Sequence, residues 1–388
     1  MTPPAPDRRI YLDYNATTPL DPVVRAAIVD VLDRAQGNPS SIHQEGREAR
    51  ERVERARRQV AALLAARPED VVFTSGGTEA DALGMLGLHA AAIAAGRPAR
   101  VLVAAVEHPA VQGAAQALAA RGAEVALIRV DALGRVDMEE LERELAAGAA
   151  LVAVALANHE LGTLQDLPAI ARLAAASGAL LHCDAVQAAG RIDVDVTSLG
   201  ADAIAISGHK IYGPKGTGAV WVRPGLDLAP LVPGGHQERE RRPGTENVAA
   251  IAGLGAAAEI AAGPEAIAAR ARIAELCAEL ERGILAMGGR VHGDGAPRVP
   301  GTVNAAFEGA PGELVTQALD LAGVSVSTGA ACTSGSVAAS PVLLALGLPR
   351  PRALEGVRFS LGRPTTLLEV QALLELLPGI VSRVRTFA

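Results

Sequence analysis

The chain has 388 residues, of which 49% are hydrophobic and 20% are charged, a composition typical of a soluble globular protein with two or three domains. Its net charge of −7 argues against general nucleic-acid binding, which normally needs a basic surface. No apolar stretch approaches the roughly 20 residues of a membrane-spanning helix, and the segment Met1 to Ile10 lacks the apolar core of a signal peptide. We therefore expect a cytoplasmic enzyme.

Short apolar runs alternate with helical patterns through the first two-thirds of the chain. The runs predict strands, and most are apolar at successive positions, which indicates burial on both faces. They lie at Val71–Thr74, Val101–Val106, Glu124–Val130, Leu151–Leu156, Leu180–Asp184, Ala203–Ser207 and Ala219–Val222. Helices are predicted between them, for example at Pro109–Arg121 and Asp166–Ser177. The alternation predicts an α/β fold with a mostly parallel seven-stranded sheet flanked by helices.

The pattern changes after Trp221. A loop rich in glycine and charge, Pro233 to Thr245, precedes an alanine-rich helix from Asn247 to Ala262, and Gly263-Pro264 marks a boundary. Shorter strands and helices follow. We expect residues 20–260 to form a large domain. Residues 1–19 and 261–388 should together form a smaller α+β domain.

Two helical segments carry further signals. Thr366 and Glu369 have the spacing of a capping box, in which each side chain bonds to a free backbone N–H of the other, so the last helix should begin here. The segment Arg47 to Arg58 interleaves arginine with glutamate, and we interpret it as the solvated face of a helix.

Polar clusters follow five of the predicted strands. In a parallel sheet the carboxyl ends of the strands share one edge, and ligands bind outside that edge. The clusters are Ser75–Glu79, Glu107-His108, Asn158–Glu160, His182–Gln187 and His209-Lys210. We therefore expect a single ligand site built from them.

Three features of these clusters indicate particular chemistry. The segment Ser75–Glu79 opens a helix, and its glycine N–H groups and the hydroxyl of Thr78 favour an anion, although a plain strand–helix turn is the alternative. Lys210 follows the strand Ala203–Ser207, where burial would favour the neutral amine that Schiff-base chemistry with an aldehyde requires. Asp184 is a buried acid that needs a partner, and a protonated heterocyclic nitrogen would be suitable.

Short motifs extend over nearly the whole chain. They are YLDYNATTP from Tyr11, GNPSSIH from Gly37, FTSGGTEA from Phe73, EHPAV from Glu107, CDAVQ from Cys183, SGHKIYGPKGTGA from Ser207, RPGTEN from Arg242, GAACTSGS from Gly329 and RFSLGR from Arg358. By these motifs the chain resembles the cysteine desulfurases, pyridoxal 5'-phosphate enzymes of the aspartate-aminotransferase-like fold. The resemblance implies a homodimer that converts L-cysteine to L-alanine.

The resemblance also implies how the cofactor ring is held. Lys210 would link covalently to the cofactor aldehyde and later move a proton at the substrate α-carbon. Asp184 would pair with the pyridine nitrogen, and Gln187 would contact the phenolic oxygen. His108 would stack on the ring face, and we count it among the catalytic residues.

The remaining cofactor and substrate contacts follow from the same resemblance. Thr245 would reach the phosphate from the second subunit. Asn38 and Arg358 would orient the substrate, Arg358 by a bidentate grip on its carboxylate. The phosphate would otherwise be held by Gly77, Thr78, Ser207 and His209.

Of the three cysteines, Cys332 lies in a segment of small residues, Ser327 to Ser336, whereas Cys183 and Cys277 suit the usual role of a small buried hydrophobe. By the resemblance, Cys332 is the nucleophile that takes up sulfur as a persulfide and passes it to an acceptor or scaffold protein. The sulfur would serve iron–sulfur cluster assembly or thiolated cofactors and tRNA, with transient contact between Cys332 and an iron–sulfur cluster. We expect no resident metal.

Two positions depart from the family pattern. His159 stands where the family has an asparagine that contacts the phenolic oxygen, and Ala82 stands where asparagine is common. Histidine could still donate one hydrogen bond there. Two alternatives remain open: a selenocysteine lyase or another pyridoxal-phosphate lyase or transaminase of this fold, and a weakened paralogue that acts as a scaffold for sulfur-carrier proteins.

Overall fold

The structure, a computed structural model, describes residues 9–328 and 338–387 of the chain. Within these residues the strands are β1 (Ile10–Tyr11), β2 (Val71–Thr74), β3 (Arg100–Ala104), β4 (Glu124–Ile128), β5 (Leu151–Ala155), β6 (Leu180–Asp184), β7 (Ala203–Ser207), β8 (Gly218–Val222), β9 (Arg290–His292), β10 (Thr302–Ala306), β11 (Val324–Ser325) and β12 (Gly356–Ser360). The helices are α1 (Pro22–Arg34), α2 (Gln44–Leu63), α3 (Gly77–Ala94), α4 (Pro109–Ala119), α5 (Met138–Ala146), α6 (Leu167–Ser177), α7 (Val196–Leu199), α8 (Val248–Ala262), α9 (Pro264–Ala286), α10 (Gly312–Leu321), α11 (Pro341–Ala345), α12 (Arg350–Ala353) and α13 (Leu367–Phe387).

Seven strands form the central sheet, in the order β2-β8-β7-β6-β5-β3-β4. Neighbouring strands are parallel except at β8, which runs antiparallel to both β2 and β7. Each strand predicted for this sheet is present, and the boundaries differ by two residues at most. The predicted fold class is therefore confirmed.

The central sheet is buried on both faces, as its apolar strands require. Along β5, Val152 and Val154 join one hydrophobic core with α2, α6 and α8, whereas Leu151 and Ala153 join another with α3 and α4. Successive side chains of a strand point to opposite faces of the sheet. Each strand of this kind thus contributes to both cores, which explains why it does not alternate apolar with polar residues.

A second sheet, three-stranded and antiparallel, has the order β12-β10-β9. It shares a separate hydrophobic core with α9, α10 and α13, and Leu12 of the N-terminal segment joins that core. The same segment contributes β1, which pairs in parallel with β11. This packing supports the predicted division into residues 20–260 and residues 1–19 with 261–388, which stays a prediction.

The last helix, α13, begins at the predicted capping box. The N–H of Glu369 donates to Thr366 Oγ1 at 3.3 Å, and the N–H of Thr366 donates to Glu369 Oε2 at 2.8 Å. These bonds satisfy two N–H groups that a helix terminus leaves free.

Within the described ranges no single helix is both long and apolar enough to cross a membrane, and α8 and α9 meet the test only as a pair bent by 64°. Ile251, Leu254 and Ala258 of α8 pack in the core of the central sheet.

The prediction that the arginine-rich face of α2 is solvated is wrong at Arg57. This guanidinium is buried and donates to both carboxylate oxygens of Glu238, each at 2.7 Å. The N–H of Phe73 donates to the same carboxylate at 2.9 Å. Glu238 reaches this position through a turn in which Glu238, Arg239 and Glu240 have φ angles of 49°, 57° and 66°.

Candidate active site

A cavity of about 290 Å³ opens beyond the carboxyl ends of the parallel strands, where the sequence predicts a ligand site. The predicted residues that line it are Gly77, Thr78, His108, His159, Asp184, Gln187, Ser207, His209 and Lys210. Ala16 and Asp81, which were not predicted from the sequence, line it as well. The structure thus brings residues of all five predicted clusters together, and their individual roles stay predictions.

Lys210 lies at the end of a short helical turn, Gly208–Lys210, that follows β7. Its amine donates hydrogen bonds to the backbone carbonyls of Asn15 and Ala16, the latter at 2.8 Å. Burial, reinforced by the positive charge of Arg191, lowers the pKa of Lys210 to about 7. A large fraction of this amine is therefore neutral near pH 7, the form that can attack an aldehyde.

Asp184 is the last residue of β6 and is buried. Its Oδ1 accepts a hydrogen bond from the N–H of Val186 at 2.8 Å. Burial, followed by the nearby carboxyl of Asp81, raises the pKa of Asp184 to about 7. The neighbouring Asp81 is itself engaged, because His182 Nε2 lies 3.1 Å from its Oδ1. A ligand that brings a positive charge to Asp184 would relieve the energetic penalty of burying this acid.

Two histidine rings meet at the cavity wall. His108 caps α4, since its Nδ1 accepts a hydrogen bond from the N–H of Ala110 at 3.1 Å, and its neutral ring therefore carries the proton on Nε2. The ring of His159 lies edge-on to it, with centroids 5.1 Å apart. Burial and the charge of Lys210 lower the pKa of His108 to about 4, and burial holds the pKa of His159 well below its usual range. Both rings are neutral at pH 7.

The N-terminus of α3 forms an open cradle at the cavity. Within the described residues no side chain caps this helix, and the first N–H groups of a helix have no intrahelical partner. A Cβ atom on Gly77 would lie 3.0 Å from Val186 Cγ2 and 3.4 Å from Ser207 Cβ, so glycine keeps the space free. The hydroxyl of Ser207 is buried there and has no partner in the described part of the chain. Such a cradle suits an anionic group.

Asn15 connects Lys210 to the other polar groups of the site. Its carbonyl, which accepts from Lys210, also accepts from Gln187 Nε2 at 3.0 Å. Its side-chain Oδ1 accepts from Arg191 at 2.5 Å, and its Nδ2 donates to the carbonyl of His159 at 3.1 Å. Sequence reasoning missed Asn15 as a site residue, and the motif beginning at Tyr11 was the one signal that pointed near it.

Comparisons with known proteins agree with this geometry. Residues 10–373 match the family model of the class-V aminotransferases. A cysteine desulfurase of Trichormus azollae is 42% identical over 384 residues, which cover 98% of this chain and 94% of the relative. The chain belongs to the cysteine desulfurases of the class-V aminotransferase family.

Solved structures of similar proteins share the fold of this cysteine desulfurase. A NifS-like protein superposes with a TM-score of 0.89 at 32% identity, over 97% of this chain and 100% of that chain. A structure described as SspA in complex with cysteine gives a TM-score of 0.79 at 28% identity, over 92% and 100%. The family and the enzyme class predicted from the sequence are confirmed, and the alternative lyase, transaminase and scaffold readings are not favoured.

Three predicted site residues in the described part of this cysteine desulfurase, Asn38, Thr245 and Arg358, do not line the cavity. Asn38 is exposed on the loop before α2, where its Oδ1 accepts a hydrogen bond from the N–H of Ser40 at 2.9 Å. Thr245 is exposed just before α8 and lines a different depression of the surface. Neither placement tests the predicted roles, which for Thr245 involve a second subunit.

Arg358, predicted to hold the substrate, is buried on β12 beside the active site. Its guanidinium donates to Asp13 Oδ1 at 2.8 Å and to the carbonyl of His159 at 3.0 Å. Its Nε is buried without a partner in the described residues. The chain's own groups therefore already engage two of its nitrogens, and the bidentate grip stays a prediction.

Cys332 lies outside the described residues, but the residues on either side of its segment contact the site. Ser327 exchanges backbone hydrogen bonds with Arg358, at 2.6 and 3.2 Å. Ser340 Oγ donates to Glu160 Oε2 at 2.6 Å. The other two cysteines, Cys183 and Cys277, are buried and free, as predicted.

Proposed function

We propose that this cysteine desulfurase uses pyridoxal 5'-phosphate and that Cys332 takes the sulfur of L-cysteine as a persulfide, with release of L-alanine. The carbon–sulfur bond of the substrate breaks and a sulfur–sulfur bond forms on Cys332. The two thiol protons are divided between the methyl group of alanine and the persulfide. The observation that carries the proposal is the single cavity that joins the amine of Lys210, the buried acid Asp184 and the open cradle at α3.

The residues present fit the cofactor. Ser207 Oγ and Gln187 Oε1 are buried at the cavity without partners in the described residues, and the N-terminus of α3 is uncapped there. When bound, the cofactor supplies an electron sink for negative charge at the substrate α-carbon. We assign its phosphate to Gly77, Thr78, Ser207 and His209, joined by Thr245 of a second subunit, and its ring to His108, His159, Asp184, Gln187 and Lys210.

The protonation states of the site suit these assignments. The amine of Lys210, with a pKa of about 7, can both take up and release a proton near neutral pH, as proton transfer at the substrate α-carbon requires. The carbonyls of Asn15 and Ala16 orient that amine. Burial raises the pKa of Asp184 to about 7. A cationic ring nitrogen beside it would stabilise the carboxylate and lower that pKa again. His108 is neutral and can face an aromatic ring without bringing a charge.

The partners of the reaction extend beyond one chain. Thr245 is exposed and lines no part of its own chain's active-site cavity, which supports a homodimer in which it serves the other subunit. Asn38 and Arg358 are assigned to the substrate. An acceptor or scaffold protein in the cytoplasm would receive the persulfide sulfur for iron–sulfur clusters or for thiolated cofactors and tRNA.

The proposal is tested by following alanine and sulfide formed from L-cysteine in the presence of a thiol reductant. Both products should appear in equal amounts. Lys210→Ala should lower their formation by about 10²–10⁴-fold because it removes the group that moves the proton. Lys215→Ala, which removes an exposed lysine five positions along the same loop, is the matched control and should leave turnover unchanged.

A second variant separates sulfur transfer from the other reactions of this fold. Cys332→Ala should abolish persulfide formation and sulfide release, whereas Cys277→Val, at a buried cysteine that does not line the cavity, should retain both. If the Cys332→Ala enzyme produces sulfide from L-cysteine at the parent rate, the assignment of Cys332 is refuted.

A further inference from the structure

A second, smaller cavity adjoins the active-site lysine. It has a volume of about 40 Å³ and lies where the N-terminal segment meets α9 and the loop after β12. Lys210 lines this cavity as well as the larger one. Since a single water needs only about 10–15 Å³ by this kind of measure, the space can hold a small ion.

The lining of the small cavity is positively charged. Arg191, Arg270 and Arg363 line it together with Lys210, and no acidic residue of the described chain does so. Tyr14, Thr18 and Tyr212 supply its hydroxyl-bearing side chains. Burial raises the pKa of Tyr14 to about 12, so its phenol brings no compensating negative charge at neutral pH.

Two of the arginines have acidic partners outside the cavity lining. Arg270 pairs with Asp193 at 2.6 Å, and Arg363 pairs with Asp21 at 3.0 Å. The side chain of Asp193 is 91% exposed, so water screens its charge and it compensates Arg270 weakly. The Nε of Arg270 is buried and has no partner in the described residues.

Arg191 has no acidic partner in the part of the chain that the structure describes. Its nitrogens donate to Asn15 Oδ1 at 2.5 Å and to the carbonyl of Tyr14 at 3.4 Å, and both acceptors are uncharged. Burial lowers the pKa of Arg191 to about 10, so it is still a cation at neutral pH. A buried cation without a counter-charge is energetically costly, and an anion in the adjoining cavity would remove that penalty.

We propose that this cavity binds a small monovalent inorganic anion such as chloride between the guanidinium groups of Arg191 and Arg270. The volume suits an ion of this size and is too small for an amino-acid substrate. The site adjoins the larger cavity and shares Lys210 with it, but Arg191 and Arg270 take no part in the cofactor and substrate contacts assigned above. Its occupant would link the N-terminal segment, through Tyr14 and Asn15, to α9.

The first test measures the thermal unfolding midpoint of the purified holoenzyme as sodium chloride replaces sodium gluconate at constant ionic strength. Constant ionic strength keeps general screening unchanged across the series, and gluconate is too large for the cavity. The midpoint should rise with the logarithm of chloride concentration above the dissociation constant, by about 2 °C at tenfold that constant. Arg270→Gln should lose this shift because it removes a cavity charge while keeping a long polar side chain.

Two controls make the test decisive. Arg290→Gln removes an arginine that pairs with Glu308 on the surface, outside the cavity, and it should keep the full chloride response. Arg191→Gln serves as a second cavity variant if it folds, although Arg191 also bonds to Asn15. An equal chloride response in Arg270→Gln and the parent would overturn the proposal.

Crystals of the holoenzyme grown in bromide supply an independent readout. An anomalous bromide peak in contact with the guanidinium groups of Arg191 and Arg270 would support the site. The absence of a peak in the cavity would overturn it. A peak seen only at molar bromide, together with no chloride-dependent shift in the unfolding midpoint, would mean an adventitious ion only and would overturn it as well.

Discussion

Two buried carboxylates in this protein have opposite surroundings. Glu238 lies between α2 and β2, where Arg57 holds both of its oxygens and the N–H of Phe73 donates a further hydrogen bond. Asp184 lies at the cavity, where one backbone N–H bonds to it and where, after burial, the carboxyl of Asp81 does most to raise its pKa. The first carboxylate is fully compensated by the chain itself, whereas the second lacks a positive partner.

This contrast separates a structural acid from a functional one. A buried ion pair leaves no unused bonding capacity, so Glu238 can hold the loop that bears it against the sheet and do nothing else. A buried acid without a cation lowers the stability of the folded protein, and such groups cluster at functional sites. We therefore expect substitutions at the two positions to differ in which property they change, stability or activity.

The largest effect is expected at the structural pair. Arg57→Met leaves the carboxylate of Glu238 buried without its cation, which should lower the free energy of unfolding by about 3–5 kcal/mol. Urea denaturation at a fixed protein concentration measures this loss. The double variant Arg57→Met/Glu238→Gln keeps an acceptor for Phe73 and removes the unpaired charge, so it should recover part of the loss. A double variant as unstable as the single one would show that the pairing is not what matters.

At the functional acid we expect the reverse result. Asp184→Asn should reduce turnover of L-cysteine by about 10²–10³-fold, because a neutral amide cannot stabilise a positive charge on a bound ring. The unfolding free energy of the cofactor-free protein at pH 7 should not fall, since a buried acid has been replaced by an uncharged group of the same shape. A loss of stability like that of Arg57→Met would erase the distinction between the two carboxylates.

A pH series sharpens the same comparison. The folded-state pKa of Asp184, about 7, lies above its unfolded value near 4, so the folded state binds this proton more tightly. The contribution of Asp184 to stability is therefore present at low pH and is lost as the pH rises from about 4 to about 7. The stability of cofactor-free Asp184→Asn relative to the parent should increase across that window and level off above it. Equilibrium unfolding at several pH values provides the measurement, and a flat difference would contradict the raised pKa.

The smallest effect concerns the turn that brings Glu238 to Arg57. Glu240 has a φ angle of 66° and an exposed side chain, and a left-handed conformation disfavours a residue with a Cβ atom. Glu240→Gly should raise the free energy of unfolding by about 0.5–1 kcal/mol. The same change at the exposed Glu275 of α9 should lower it by about 1 kcal/mol, because glycine is unfavourable within a helix. Thermal unfolding distinguishes the two signs.

The sequence was sufficient to predict the central sheet and most of the cavity lining. Apolar runs mark the strands, and the carboxyl-end rule places Asp184, His108 and Lys210 at the same edge without any knowledge of their contacts. The capping box at Thr366 is likewise a local pattern, and it appears where expected.

The groups that the sequence did not reveal depend on distant partners. Arg57 and Glu238 are 181 positions apart, and Asn15 lies 195 positions from Lys210. Nothing in the local charge pattern of α2 distinguishes Arg57 from its exposed neighbours. The residues around Asn15 likewise do not distinguish it from an ordinary loop residue. Their roles depend on how the N-terminal segment and the loop before α8 pack against the sheet. These long-range contacts cannot be predicted from a single sequence.

The backbone hydrogen bonds between Ser327 and Arg358 limit how far Cys332, in its proposed role, could carry sulfur. Cys332 follows Ser327 by five positions, and a fully extended chain of that length spans about 17 Å. Arg358 is in turn bonded to Asp13 and to the carbonyl of His159. If Cys332 carries the sulfur as proposed, an acceptor protein therefore has to bind within reach of β12, at this face of the enzyme.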